Sequence, residues 1–266
     1  MNSGINLYNE AKKSVFFIYN LSDSQKLELI GSGFFLQFKI ESRPNKAVGY
    51  MTTAKHVLLN NNGEFIQKFI IRLKSKSKES QFILIDLHQT GYFTHDDPHV
   101  DIVIIPYYPQ IDLNDFRFIK GEMVLDEGLN GLQEGAEVFF TGLFIQYAGQ
   151  IEIQPILRFG RLSMIPVEKI RIKVNEKVMS ANFYLIECTS FGGNSGSPVI
   201  LKQNGAEINQ IDLAGLITGS FNQFEKLPYD TILKQNTGIA AVTPSYKLKE
   251  ILLSSKVYDA RQKALD

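Results

Sequence analysis

The chain has 266 residues, 44% of them hydrophobic, so it can bury a substantial core without metal or disulfide staples. Its 28 basic residues balance 28 acidic ones, which leaves no net field to draw it to nucleic acid or to an acidic membrane surface. A single cysteine, Cys188, excludes an intramolecular disulfide and points to a reducing compartment.

The opening residues, Met1 to Glu10, have no basic start followed by an apolar stretch, and Val15–Ile18 is too short for a signal core. No apolar run approaches the roughly 20 residues that span a bilayer. A cytoplasmic protein without nucleic-acid or membrane partners is expected.

Short runs rich in β-branched and aromatic residues recur between turn signals, which predicts an all-β protein. In chain order the predicted strands are Ser14–Tyr19, Gly33–Ile40, Val48–Thr53, Phe65–Leu73, Gln81–Leu87 and Asp101–Ile105, then Glu137–Thr141, Leu157–Met164, Phe183–Glu187, Pro198–Leu201, Leu213–Thr218 and Gly238–Val242. Twelve such runs suit two small barrels better than one sandwich. The charged run Arg72–Gln81 reads as a solvated strand end and hairpin loop. Pro106 to Gly131 contains Pro-Tyr-Tyr-Pro and little alternation, so the connection between halves falls there, with the boundary near residue 125. Residues 1–125 and 126–266 then form two halves of one domain. Pro244 to Leu253 spaces its apolar residues at three and four, as an amphipathic helix does, and is expected to pack on the second half.

The strongest chemical signal is Phe191-Gly192-Gly193-Asn194-Ser195-Gly196-Ser197-Pro198, a serine among glycines with β-type sequence around it. A nucleophilic hydroxyl needs a tight turn that lets a carbonyl approach and aims backbone N–H groups at the developing oxyanion. Gly193 and Gly196 remove the β-carbons that would obstruct such a turn. A serine is a poor nucleophile at neutral pH, so it needs a histidine base oriented by a carboxylate. His56 lies where the strand Val48–Thr53 ends in small residues. Asp101 directly precedes an apolar strand, which shields its carboxylate and keeps an aspartate–histidine hydrogen bond strong. Asp96 and Asp97, beside Pro98, read as exposed loop.

These segments resemble the trypsin-like, chymotrypsin-fold serine peptidases, and more closely their disulfide-poor bacterial branch. Thr53-Ala54-Lys55-His56-Val57 resembles that family's histidine block, Val100-Asp101-Ile102-Val103 its aspartate block, and Gly193 to Pro198 its nucleophile block. The order His, Asp, Ser is that of the chymotrypsin type. Weaker matches are Gly31-Ser32-Gly33-Phe34-Phe35, Val138 to Gly142, Phe159 to Leu162, and Gly238 to Pro244.

The resemblance implies two six-stranded antiparallel β-barrels with a C-terminal helix, His56 and Asp101 in the first barrel and Ser195 in the second. It implies a serine endopeptidase acting on protein or peptide substrates, with Ser195 as nucleophile, His56 as base and Asp101 orienting the imidazole. Gly193 and Ser195 would supply the oxyanion-hole N–H groups, and no metal or organic cofactor is needed. Thr189 and Ser190 would line the first substrate pocket, with Ile217, Thr218 and Gly219 forming one wall. None is charged, so a neutral or small apolar side chain is expected there. Ile217 stands where glutamate-specific relatives carry a histidine. Asn194 replaces the aspartate that pairs with a new amino terminus in secreted members, so activation by that route is not expected. A regulatory protein partner is compatible with this reading.

Two rival readings use the same residues. A catalytically inactive trypsin-like domain would keep the fold as a protein-binding module, yet all three triad residue types are present. A metal site from His95, Asp96, Asp97 and His99 is disfavoured because Pro98 breaks the helical spacing that would align the histidines. Cys188 lies in strand-type sequence, where an inert buried thiol is expected.

Overall fold

Every residue from Val15 to Tyr19 is apolar or aromatic, and in the computed structural model of the chain all five are buried. The structure describes residues 7–21, 26–40, 43–127, 132–174, 177–202, 212–226 and 232–263. Met1 to Asn6 of the opening segment, and Gly131 at the end of the expected connection, lie outside the described residues.

The first half runs α1 (Leu7–Lys13), β1 (Val15–Leu21), β2 (Leu27–Ile40), β3 (Arg43–Thr53), β4 (Lys68–Leu73), β5 (Gln81–Asp86), α2 (Leu87–Thr90), β6 (Phe93–Thr94), β7 (Val103–Pro106) and β8 (Ile119–Lys120). Its sheet has the order β5-β4-β1-β2-β3-β7-β6, with β8 parallel to β2. The second half runs β9 (Glu137–Gly142), β10 (Ile156–Met164), β11 (Ile170–Val174), β12 (Lys177–Ala181), β13 (Tyr184–Glu187), β14 (Pro198–Leu201), β15 (Asp212–Lys226) and β16 (Ile232–Pro244), then α3 (Ser245–Leu253) and α4 (Ser255–Lys263). Six of these strands close a barrel in the order β10-β13-β16-β15-β14-β9, while β11 and β12 pair as a separate hairpin.

Each of the twelve expected strands is found, but the first expected barrel differs. It is an eight-stranded sheet whose end strands, β5 and β6, share no ladder among the described residues. The chain passes between them through α2, where the Asp86 carboxylate caps the turn by accepting the His88 N–H at 3.0 Å. Backbone groups spent on a helical turn cannot also make a strand ladder. The stretch from Pro106, expected as plain connection, contributes β8 to the same sheet.

β1 is apolar throughout because both its faces are covered. Phe16 and Ile18 enter the main core with Phe34, Phe35 and Met51, whereas Val15, Phe17 and Tyr19 meet Leu143 and Ile153 from the second half. Full burial of each such side chain is worth about 1.5–3 kcal/mol. The segment carrying Leu143 and Ile153 is held further by Arg72, expected to be solvated but in fact buried, which donates to the carbonyls of Gly149 at 2.7 Å and Gln150 at 2.9 Å. The loop after Arg72 docks too: the Ile153 N–H donates to the Ser80 hydroxyl at 2.7 Å.

The C-terminal helix packs on the second half as expected, with α3 touching β15 and β16. Its Leu248, Ile251 and Leu252 also join the core cluster that holds Phe35 and Met51 of the first half. The following α4 lays the Arg261 guanidinium over the Phe38 ring at 4.6 Å. The helical pair thus closes against both halves. No helix of the described residues is long and apolar enough to cross a membrane.

Candidate active site

Strand register brings His56 and Asp101 together. β3 and β7 run antiparallel with Thr53 opposite Val103, so the residues just beyond Thr53 and just before Val103 emerge at the same sheet end. His56 sits there in a one-turn 3₁₀ segment, Lys55–Leu58. The Asp101 carboxylate binds it twice: Oδ2 faces the imidazole Nδ1 at 2.6 Å, and Oδ1 accepts the His56 backbone N–H at 2.9 Å. Asp101 is fully buried, so these bonds stand in place of water on the carboxylate. The Asp101 loop is strapped further by Lys55, whose Nζ donates to the Pro98 carbonyl at 2.7 Å. Burial pushes the Lys55 pKa below the usual lysine value, and nearby Asp101 and Asp97 offset only part of that.

Ser195 lies on a tight turn between β13 and β14. Gly193 and Gly196 both have positive φ, +89° and +84°, a region that L side chains rarely occupy. Space is equally restrictive at Gly196: a β-carbon there would lie 2.0 Å from the Ser32 carbonyl oxygen and 2.3 Å from the Thr53 hydroxyl. Asn194 is buried and clamps the turn from within. Its Nδ2 donates to the Leu143 carbonyl at 2.6 Å, and its Oδ1 accepts the Phe191 N–H at 2.9 Å. The N–H groups of Gly196 and Ser197 are spent on Ile217 and Asn194 carbonyls, and that of Asn194 on Phe191. Among the described residues the N–H groups of Gly193 and Ser195 meet no protein acceptor.

The turn docks on the strand end that leads to His56. Gly196 packs on Thr53 and against the Ala54 N–H, two residues before the histidine, and the Ser32 N–H donates to the Ser195 carbonyl at 3.0 Å. Val57, next to His56, meets Gly31 from the same side as the Ser195 carbonyl. The Ser195 hydroxyl itself points to the Thr218 carbonyl at 3.4 Å. That Oγ position is set from the second half, while the imidazole is set from the first.

The residues expected to line a substrate pocket are distributed unevenly. Thr189 is exposed and Gly219 half-buried, while Ser190, Ile217 and Thr218 are buried. Ile217 belongs to the barrel's apolar cluster with Val199 and Val242. The Thr218 hydroxyl is paired with that of Thr243 at 2.5 Å. His95 and Asp96 are engaged with the C-terminal helices, by Glu250 at 2.5 Å and Lys256 at 3.0 Å. Among the described residues no group of three His, Cys, Asp or Glu side chains gathers to hold a metal.

No protein-family model and no curated protein matches the sequence. Solved structures do. The chain is similar to the Rv3671c protease in an inactive form, with a TM-score of 0.50 and 14% identity over 92% of this chain and 90% of that one. The chain has a protease-like fold. A serine-to-alanine mutant of Rv3671c from M. tuberculosis, also in an inactive form, matches at 16% identity over 94% of this chain and 90% of that one, with a TM-score of 0.49.

Within this protease-like fold, sequence reasoning overlooked two residues at the site. Asn236 reaches across from β16 to donate through Nδ2 to the Ser190 carbonyl, and its Oδ1 accepts the Gly238 N–H at 2.8 Å. Ser32 anchors the Ser195 turn from the other half. The partners that tie each to the site, the Ser190 carbonyl for Asn236 and the Ser195 turn for Ser32, lie far along the chain.

Proposed function

We propose that this protein is a serine endopeptidase that hydrolyses peptide bonds through Ser195, His56 and Asp101. The observation that carries the reading is the double hold of buried Asp101 on His56, at the end of the strand against which the Ser195 turn packs.

In this reading Ser195 Oγ attacks the scissile carbonyl as His56 Nε2 takes its proton. The oxyanion is received by the N–H groups of Gly193 and Ser195, which have no other acceptor among the described residues; each such donor is worth about 2.7–4 kcal/mol. His56 then returns the proton to the departing amine, and water resolves the acyl-enzyme by the same path in reverse. Asp101 fixes the tautomer with the proton on Nδ1, which makes Nε2 the accepting nitrogen. The base works as neutral imidazole.

Ser190 and Asn236, both uncharged, favour a neutral or small apolar side chain in the first pocket. Substrates are proteins or peptides, a regulatory protein partner is compatible, and the lone cysteine suits a cytoplasmic location. A fluorophosphonate probe tests the assignment: wild type should label, Ser195→Ala should not, and mass-spectrometric mapping of digests should show cuts in wild type only. Wild type that neither labels nor cuts would leave the binding-module reading.

A further inference from the structure

We propose that Ser32 is a positioning residue that sets the oxyanion turn from the opposite half of the molecule, an inference that rests on Ser195 being the nucleophile. Ser32 is fully buried on β2, and both its hydroxyl and its N–H donate to the turn. Its hydroxyl donates to the Gly193 carbonyl at 2.9 Å and accepts the Leu143 N–H at 2.8 Å. Its N–H donates to the Ser195 carbonyl, and its own carbonyl accepts the Thr53 hydroxyl at 2.6 Å.

The carbonyls of Gly193 and Ser195 are therefore both pinned by one residue. A peptide carbonyl held by a hydrogen bond fixes the plane of the peptide it belongs to. With φ at Gly193 also set, the turn's backbone has little freedom left, and the free N–H groups of Gly193 and Ser195 are held where they stand. Leu143 joins both clamps, since its N–H goes to Ser32 and its carbonyl to Asn194. Space behind the turn is tight: a β-carbon on Gly142 would sit 1.8 Å from the Ser197 hydroxyl and 3.0 Å from that of Ser32. Ser32→Ala would leave the Gly193 carbonyl and the Leu143 N–H without partners and free the 193–194 peptide to rotate.

The test compares wild type, Ser32→Ala and, as a control, Thr141→Val. Thr141 is also fully buried, one residue from Gly142, but its hydroxyl has no partner among the described residues. The readouts are kcat and KM on a peptide that wild type cleaves, the rate of fluorophosphonate labelling, and the melting temperature. Ser32→Ala should lower kcat and the labelling rate together, on the order of 10²-fold, with KM within about twofold, because misplaced donors weaken the transition state more than the bound substrate. Thr141→Val should keep both rates within about twofold. If Ser32→Ala does not fold, the comparison is read on Ser32→Cys, whose weaker thiol should give an intermediate labelling rate. A folded Ser32 variant that labels and turns over at the wild-type rate overturns the positioning role alone. Wild type that does not label overturns the endopeptidase reading instead.

Discussion

Asp101 binds His56 through both carboxylate oxygens, one to the imidazole and one to the backbone N–H of the same residue. The pairing fixes the ring's rotation as well as its tautomer, because the backbone contact anchors the carboxylate that the ring must meet.

Asp101→Asn separates these two tasks. Its amide oxygen can still accept the backbone N–H, but the NH₂ group then faces Nδ1 and selects the tautomer with the proton on Nε2. The expected result is a loss of kcat on the order of 10⁴-fold in a protein that still folds. Steady-state kinetics beside a thermal melt checks this. A variant retaining more than about a tenth of wild-type activity would remove Asp101 from the mechanism.

The glycines of the turn should differ sharply in tolerance. Gly192→Ala meets open space, so activity and melting temperature should stay near wild type. Gly196→Ala combines a positive φ with a β-carbon driven into the Ser32 carbonyl. Left-handed strain and overpacking each cost roughly 1–3 kcal/mol, so stability should fall by about 2–6 kcal/mol and labelling of Ser195 should be lost. Equal melting curves for the two variants would contradict the docking of Gly196 on Ser32.

Cys188 provides a pH test. Burial pushes its thiol up to about 12, and the opposing pull of nearby Arg158 is smaller. Because the pKa is raised, the neutral thiol dominates throughout the neutral range, and nucleophilic thiolate appears only as pH climbs toward that value. Iodoacetamide at pH 8 should therefore modify the native protein negligibly and the denatured protein fully, while native activity is unaffected. Rapid native alkylation with loss of activity would make Cys188 a rival nucleophile.

Much of the scaffold is readable from residue order. Val15 to Tyr19 and Val103 to Ile105 are apolar runs that no solvated loop would carry, and the glycines around Ser195 announce an unusual turn. The outer length of β15, Gly219 to Lys226, is not readable in this way. Its polar residues do not alternate, and the strand forms by pairing with β16 in a two-stranded ribbon. The hairpin of β11 and β12 does alternate, at Ile170 and Ile172, but its charged residues mask the pattern. Ser32 is silent for a different reason: its hydroxyl partners, Leu143 and Gly193, lie 111 and 161 residues away, and only tertiary structure makes one serine a hub.

The roof that Leu143 and Ile153 place over Val15, Phe17 and Tyr19 has a further consequence. A central strand of one half is waterproofed by a loop of the other, so severing the chain between them would strip oily surface from both pieces at once. The halves are separate in topology but joint in folding, and heat should melt them in one cooperative step.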